Sequence, residues 1–175
     1  GRDDPLIVVG GVTGGLAVHD ASGYPMEPFP AELNDVWIAS IVACPRGEWI
    51  AVAASDTLRS YSLAGRALRW TVKQPAVSVS MAVAPFRQDQ IIACAATDGY
   101  LRVYNADKGE MLAKDDAGGS LRGLRSVSAT TRPATTDHHH NGVPGDSVET
   151  VIACGGDEGD IRVYVFQGDA LNLVS

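Results

Sequence analysis

Short apolar runs and turn residues alternate along almost the whole chain. The clearest stretch is IIACAATDGYLRVYNADKGE, from Ile91 to Glu110. An apolar run stops at Asp98-Gly99, an alternating run follows, and Lys108-Gly109 closes the unit. Nearly the same order returns as VIACGGDEGDIRVY, from Val151 to Tyr164. The residue that opens the second run of each unit is Leu16, Leu58, Leu101 or Ile161, at spacings of 42, 43 and 60. A period of about 40–45 residues, made only of strand-like runs, predicts the blades of a β-propeller. The third spacing is the same period carrying an insertion. We assign it to Ser128–Ser147, SATTRPATTDHHHNGVPGDS, which has no apolar periodicity. This segment is expected to be an exposed loop whose deletion changes stability little.

Four strands are expected in each unit. The first is an apolar run such as WIASIVAC or VSVSMAVA, the latter with the two-residue period of a strand. The second (LIVVGG, WIAVAAS, IIACAA, VIACGG) ends in small residues that let neighbouring backbones approach. Tight turns follow at Thr13-Gly14-Gly15, Asp98-Gly99 and Asp157-Glu158-Gly159, where glycine supplies a positive φ. The third run, LRVY, alternates apolar and polar residues. In the first unit the fourth is YPMEPFPAEL, and Pro25, Pro28 and Pro30 confine it to an outer edge strand. No helical period stands out. The expected fold is therefore all-β, a single β-propeller domain over residues 1–175 with the 128–147 insertion within it. The runs amount to about three and three-quarter blades, against four to eight in closed propellers. The ring is expected to be partial, completed by a larger propeller or by a partner that covers its open strand edges. Trp37 and Trp49 lie in or beside inner runs.

Composition narrows the function without choosing it. Hydrophobic residues make up 45% and charged residues 20% of 175, the balance of a globular chain with a sizeable core. A net charge of −7 disfavours nucleic acid as a partner, because phosphate contacts need clustered Lys and Arg. No apolar stretch reaches the roughly 20 residues of a membrane helix. Cys44, Cys94 and Cys154 have no close pairing, and two of them share one repeat position inside apolar strands. They read as small buried hydrophobes of a reducing, intracellular compartment.

Candidate chemistry is thin. His138, His139 and His140 are adjacent on the insertion and cannot readily converge on one metal ion. NADKGE lacks the alternating oxygen ligands of a calcium loop, and VGGVTGG lacks the Lys-Ser/Thr end of a phosphate loop. No nucleophile motif appears. Catalysis, cofactor and metal are therefore not expected. The turn residues Thr13, Asp56, Asp98 and Asp157 are acidic in three units, the one feature that favours an enzyme or cofactor binder. Arg59, Arg102 and Arg162 recur at one repeat position and read as structural. Arg122, Arg125 and Arg132 are the weak candidates for docking an acidic protein partner, against the plainer reading of a solvated strand face.

Units ending in LRVY or IRVY resemble the WD-repeat blade, with Tyr61, Tyr104 and Tyr164 where that family usually carries tryptophan. No Gly-His dipeptide precedes a first strand, so the usual hydrogen-bond tetrad of the family cannot form, and the propeller is a divergent one. The order LIVVGG, GRALRWTVKQ, VSVSMAVA, TDGYLRVYNADKGEMLAKDDAGGSLRGL and VIACGGDEGDIRVY resembles the amino-terminal propeller of the Bardet–Biedl syndrome protein 2 family, a BBSome subunit. That resemblance implies a non-catalytic scaffold in a ciliary membrane-protein trafficking coat. It implies a cytoplasmic location at the cilium or basal body, and other subunits as partners, among them another β-propeller. Any membrane association would be peripheral, through the assembly. DGYLRVYNADKGEML also resembles bacterial propellers with pyrroloquinoline-quinone-like repeats. That likeness implies the alternative of a propeller enzyme or cofactor binder, although Trp70 alone stands for their regular fourth-strand tryptophan.

Overall fold

The structure is a computed structural model that describes residues 5–29, 33, 36–115, 123–133 and 148–174. Among them the regular elements are strands. The first sheet pairs β1 (Leu6–Gly10) with β2 (Leu16–Asp20). Three four-stranded antiparallel sheets follow, each with its strands in chain order. They are β3–β6 (Ile38–Ala43, Trp49–Ala54, Thr57–Ser62, Leu68–Lys73), β7–β10 (Ser78–Phe86, Asp89–Ala96, Leu101–Asn105, Met111–Asp115) and β11–β14 (Leu124–Pro133, Val148–Gly156, Ile161–Gln167, Ala170–Leu173). This is the expected β-propeller. Strands β3, β7 and β11 lie side by side, so the first strand of each four-stranded sheet faces the axis. Among the described residues the ring is not closed, because β1–β2 and β11–β14 each lack a neighbouring sheet on one side.

The turns follow from glycine where the backbone must go left-handed. Gly99 and Gly159 both have φ of +84° between the second and third strands of their sheets. In the unit without glycine, Ser55 takes φ +48° instead. The three innermost strands share a second device. Their register slips by one residue at Ile38/Ser40, Ser78/Ser80 and Leu124/Ser126, the same place in each sheet. A bulge there bends the start of the strand and sharpens its twist.

Two boundaries differ from the sequence reading. Residues 128–133, assigned above to the insertion, are the second half of β11, paired from Ser128↔Ala153 to Pro133↔Val148. The strand is polar because only one side packs: Val127 and Ala129 touch the core while Ser128 and Thr130 are exposed. Its Thr residues suit a pleated surface, and Pro133 is tolerated as the last residue of the strand. The remainder of the insertion, 134–147, lies outside the described residues, with His138, His139 and His140. The predicted edge strand of the first unit does not form over its described residues 24–29. Tyr24 to Phe29 runs beside β2 with a single bridge, His19↔Pro25, and Met26 N–H donating to the Val18 carbonyl at 2.8 Å. Prolines at 25 and 28 remove the donors a ladder needs.

Three apolar clusters fill the spaces between consecutive sheets. Leu16 and Val18 of the first sheet meet Ile50, Val52 and Tyr61 of the second. Ala51, Ala53 and Leu58 meet Ile92, Cys94 and Tyr104 of the third. Ala93, Leu101 and Val103 meet Ile152, Cys154 and Tyr164 of the last. Alanines at the centre of β4 and β8 keep the sheets close, as the small-residue run ends suggested.

Candidate interaction site

Each four-stranded blade has one ladder pair at its heart: Ile50↔Tyr61, Ile92↔Tyr104 and Ile152↔Tyr164. All six side chains are buried. The tyrosines thus hold the tryptophan-like position for packing. Around Tyr104 a buried polar network replaces the missing tetrad. Gln74 Nε2 donates to the Tyr104 hydroxyl at 3.2 Å, and the Ser78 hydroxyl donates to Gln74 Oε1 at 2.8 Å. Cys94 lies in the same network. Burial pushes its thiol up to about 12, against the opposing pull of Ser78, Arg102 and Gln74. Burial likewise pushes Cys154 up to about 11. Both thiols are protonated and inert at neutral pH, in keeping with a packing role.

The aligned turn acids are all engaged. Arg102 is buried, donates to both oxygens of Asp98 at 3.0 and 2.6 Å, and lies 5.2 Å over the Tyr100 ring. Desolvation alone raises the Asp98 pKa, but hydrogen bonding and charge from Arg102 outweigh it and leave the carboxyl below its ordinary value. Asp56 sits 3.7 Å from Lys73 Nζ, and Asp157 accepts from Arg125 at 2.5 and 3.1 Å. Three acids each held by a cation of the same chain do not make a convergent site. Among the described residues no cluster of His, Cys, Asp and Glu gathers around a point where a metal ion would fit.

Of the arginines proposed for docking, Arg122 lies outside the described residues. Arg125 and Arg132 both belong to β11, and the strand places them near its opposite ends, roughly 23 Å apart at about 3.3 Å per residue. Arg132 donates to Glu149 at 3.1 Å, and Glu149 also accepts from Gln167 at 2.8 Å. The side chains are 61% and 42% exposed, so each guanidinium presents an edge to solvent while tethered to its carboxylate. A cleft of about 330 Å³ between the second and third sheets is lined by Arg46, Glu48, Trp49, Arg87, Asp89 and Asp107. Its charges are mixed in sign.

The partial ring expected from the sequence leaves two open sheet faces among the described residues, and the structure shows which side chains lie on them. On the first sheet Ile7 and Val9 are 49% and 52% exposed. On the last sheet Ile161 is 71% exposed, with Val151, Ala153 and Val163 half-buried beside it. In the aligned column Leu16, Leu58, Leu101, Ile161 the first three members are buried and the fourth is exposed.

No protein-family model matches the chain, and no curated protein matches it. Solved structures do. The WD40 repeats of RRP9 superpose with a TM-score of 0.72 at 10% identity, over 99% of this chain and 52% of that one. Saccharomyces cerevisiae Sqt1 gives 0.71 at 17% identity, over 93% and 41%. The computationally designed Ika4 protein gives 0.66 at 13% identity, over 95% and 94%. At such identities the likeness establishes the fold, a WD-like β-propeller. The chain spans about half the length of the two natural chains.

Proposed function

We propose that this chain is a non-catalytic propeller scaffold that binds other proteins. The observation that carries the reading is the disposition of its polar groups. Among the described residues the turn acids Asp56, Asp98 and Asp157 each face a cation of the same chain, and the apolar side chains Ile7, Val9 and Ile161 are exposed. Exposed apolar patches of this kind mark contact surfaces. The arrangement gives the enzyme or cofactor-binder alternative no support, because that class needs unpaired polar groups converging at the channel mouth.

The finer form of the proposal places the scaffold in a ciliary membrane-protein trafficking coat of the BBSome type, with another β-propeller subunit as partner. It would act in the cytoplasm at the cilium or basal body, reaching membranes only through the assembly. The support is the resemblance of ordered segments from LIVVGG to GDIRVY. Arg125 and Arg132, with Arg122, are the candidate residues for an acidic face of that partner. Affinity capture from ciliated cells, read by mass spectrometry, tests it. A propeller subunit should co-purify with the chain and be reduced by Arg125→Glu combined with Arg132→Glu. Capture of no propeller subunit overturns the coat assignment.

A further inference from the structure

Beyond β2 the first sheet continues in a segment that proline, in place of a strand ladder, keeps extended. Residues 24–29 lie on the far side of β2 from β1, where the other sheets have β6, β10 and β14. That place is the outer rim of the propeller, whose outer edge is left free by blades packed face to face. Pro25 and Pro28 have φ fixed by their rings, and Tyr24, Glu27 and Phe29 each precede a proline in the sequence. Met26 alone of the segment escapes both restrictions. The conformation these restrictions favour is the polyproline II helix, with about three residues per turn. Burial follows that period. Met26 and Phe29, three apart, are 41% and 5% exposed, whereas Tyr24 is 72% exposed and Pro25, Glu27 and Pro28 are open to solvent. One edge rests on the blade and two look outward.

Both ends of the segment are pinned. Asp20 Oδ1 accepts from the backbone N–H groups of Ser22 and Tyr24 at 2.8 and 3.0 Å. Phe29 is buried edge-on to Tyr61, with ring centroids 5.5 Å apart, and the Arg66 guanidinium lies 5.7 Å from its ring. A ligand segment ordered in advance loses little entropy on binding. We propose that residues 24–28 dock a proline-binding module, a partner domain with an aromatic-lined groove of the SH3, WW or EVH1 kind. Pro25 and Pro28 enter the groove and the Tyr24 ring packs beside them. Asp20 and Glu27 are the charged residues between 20 and 29, and both are acidic, so the rim of the groove carries Lys or Arg. Addition of a partner strand is the poorer fit. The Tyr24 carbonyl and the Met26 N–H are bonded to β2, so Pro25 and Glu27 face outward, and Pro25 has no N–H to give.

The inference goes beyond the scaffold reading, and the two fail separately, because capture from ciliated cells and binding to purified modules are independent measurements. An array of purified SH3, WW and EVH1 domains, probed with the 175-residue chain, should retain it on one class of domain. Excess proline decamer should displace it. Pro25→Ala combined with Pro28→Ala replaces two exposed side chains, so the variant should fold, as circular dichroism will report, and should bind about tenfold more weakly. Glu27→Lys should also weaken binding, by a margin that high salt erases. Retention on no domain overturns the proposal. So does binding that the double substitution leaves unchanged, or strengthens, as strand addition would once donors are restored. Failure of the decamer to displace the chain overturns it without recourse to any variant.

Discussion

Leu101 and Ile161 open the third strand of neighbouring blades, and the first is wholly buried while the second is 71% exposed. The blades differ little in their own make-up: both have an Ala at the centre of the second strand, an Ile–Tyr ladder pair, and an arginine after the first residue of the third strand. What differs is the neighbour. The β7–β10 blade has an apolar cluster on each side, and the β11–β14 blade on one. Burial in this fold is a property of place in the ring, and a residue's worth has to be judged at an interface.

The largest effect should come from breaking the doubly covered blade. Leu101→Ala should cost about 2–5 kcal/mol in urea unfolding. Ile161→Ala should stay within about 0.5 kcal/mol. Equal costs at the two positions would abolish the distinction between the blades.

A smaller contrast separates their ion pairs. Asp98→Asn removes the partner of a buried arginine and should cost about 1–3 kcal/mol at neutral pH. Arg125→Ala removes an exposed partner of Asp157 and should leave the unfolding midpoint unmoved. The same pair sets a pH dependence. Because Asp98 is held below its ordinary value of 3.8, the Asp98–Arg102 contribution is full above that pH and fades as pH falls through the folded pKa. The stability gap between wild type and Asp98→Asn should therefore be constant above about pH 5 and close below about pH 4. A gap that widened on acidification would contradict the assignment.

The smallest effect is kinetic. Cys94 and Cys154 share a repeat position, and both are buried with raised pKa. Reaction with a thiol reagent then waits for local opening, which is easier where one face is bare. Cys154 should be modified first, by mass spectrometry of labelled peptides. Modification of Cys94 ahead of Cys154 would place the weak blade elsewhere.

Most of the propeller was legible because β4, β8 and β12 each contain an apolar run, and glycine marks two of the turns that follow them. The innermost strand of the last blade was not. Its apolar alternation is carried by Val127 and Ala129 alone, and a bulge at Leu124/Ser126 shifts the phase. The edge strand of the first unit was over-read, since prolines that permit an edge position also remove the bonds that would make it a strand. The arginines looked like one patch because they are near in sequence, whereas an extended strand holds them apart. The open edges were foreseen from the count of runs, but the side chains they leave bare were not. Sequence shows which residues a blade can bury, and only the arrangement of sheets shows which of them are left bare.

The repeated pairing of the leucine column with the isoleucine–tyrosine pair has a consequence for how such a chain can change length. If β7–β10 were excised as one unit, Leu58 would come to face Ile152 and Tyr164, the same pairing of residue types it has now with Ile92 and Tyr104. Each blade is thus an interchangeable link: its two faces are plug and socket of one gauge. Stability in such an array is close to a sum over adjoining pairs, so the chain tolerates gain or loss of whole links far better than an insertion of a few residues within one.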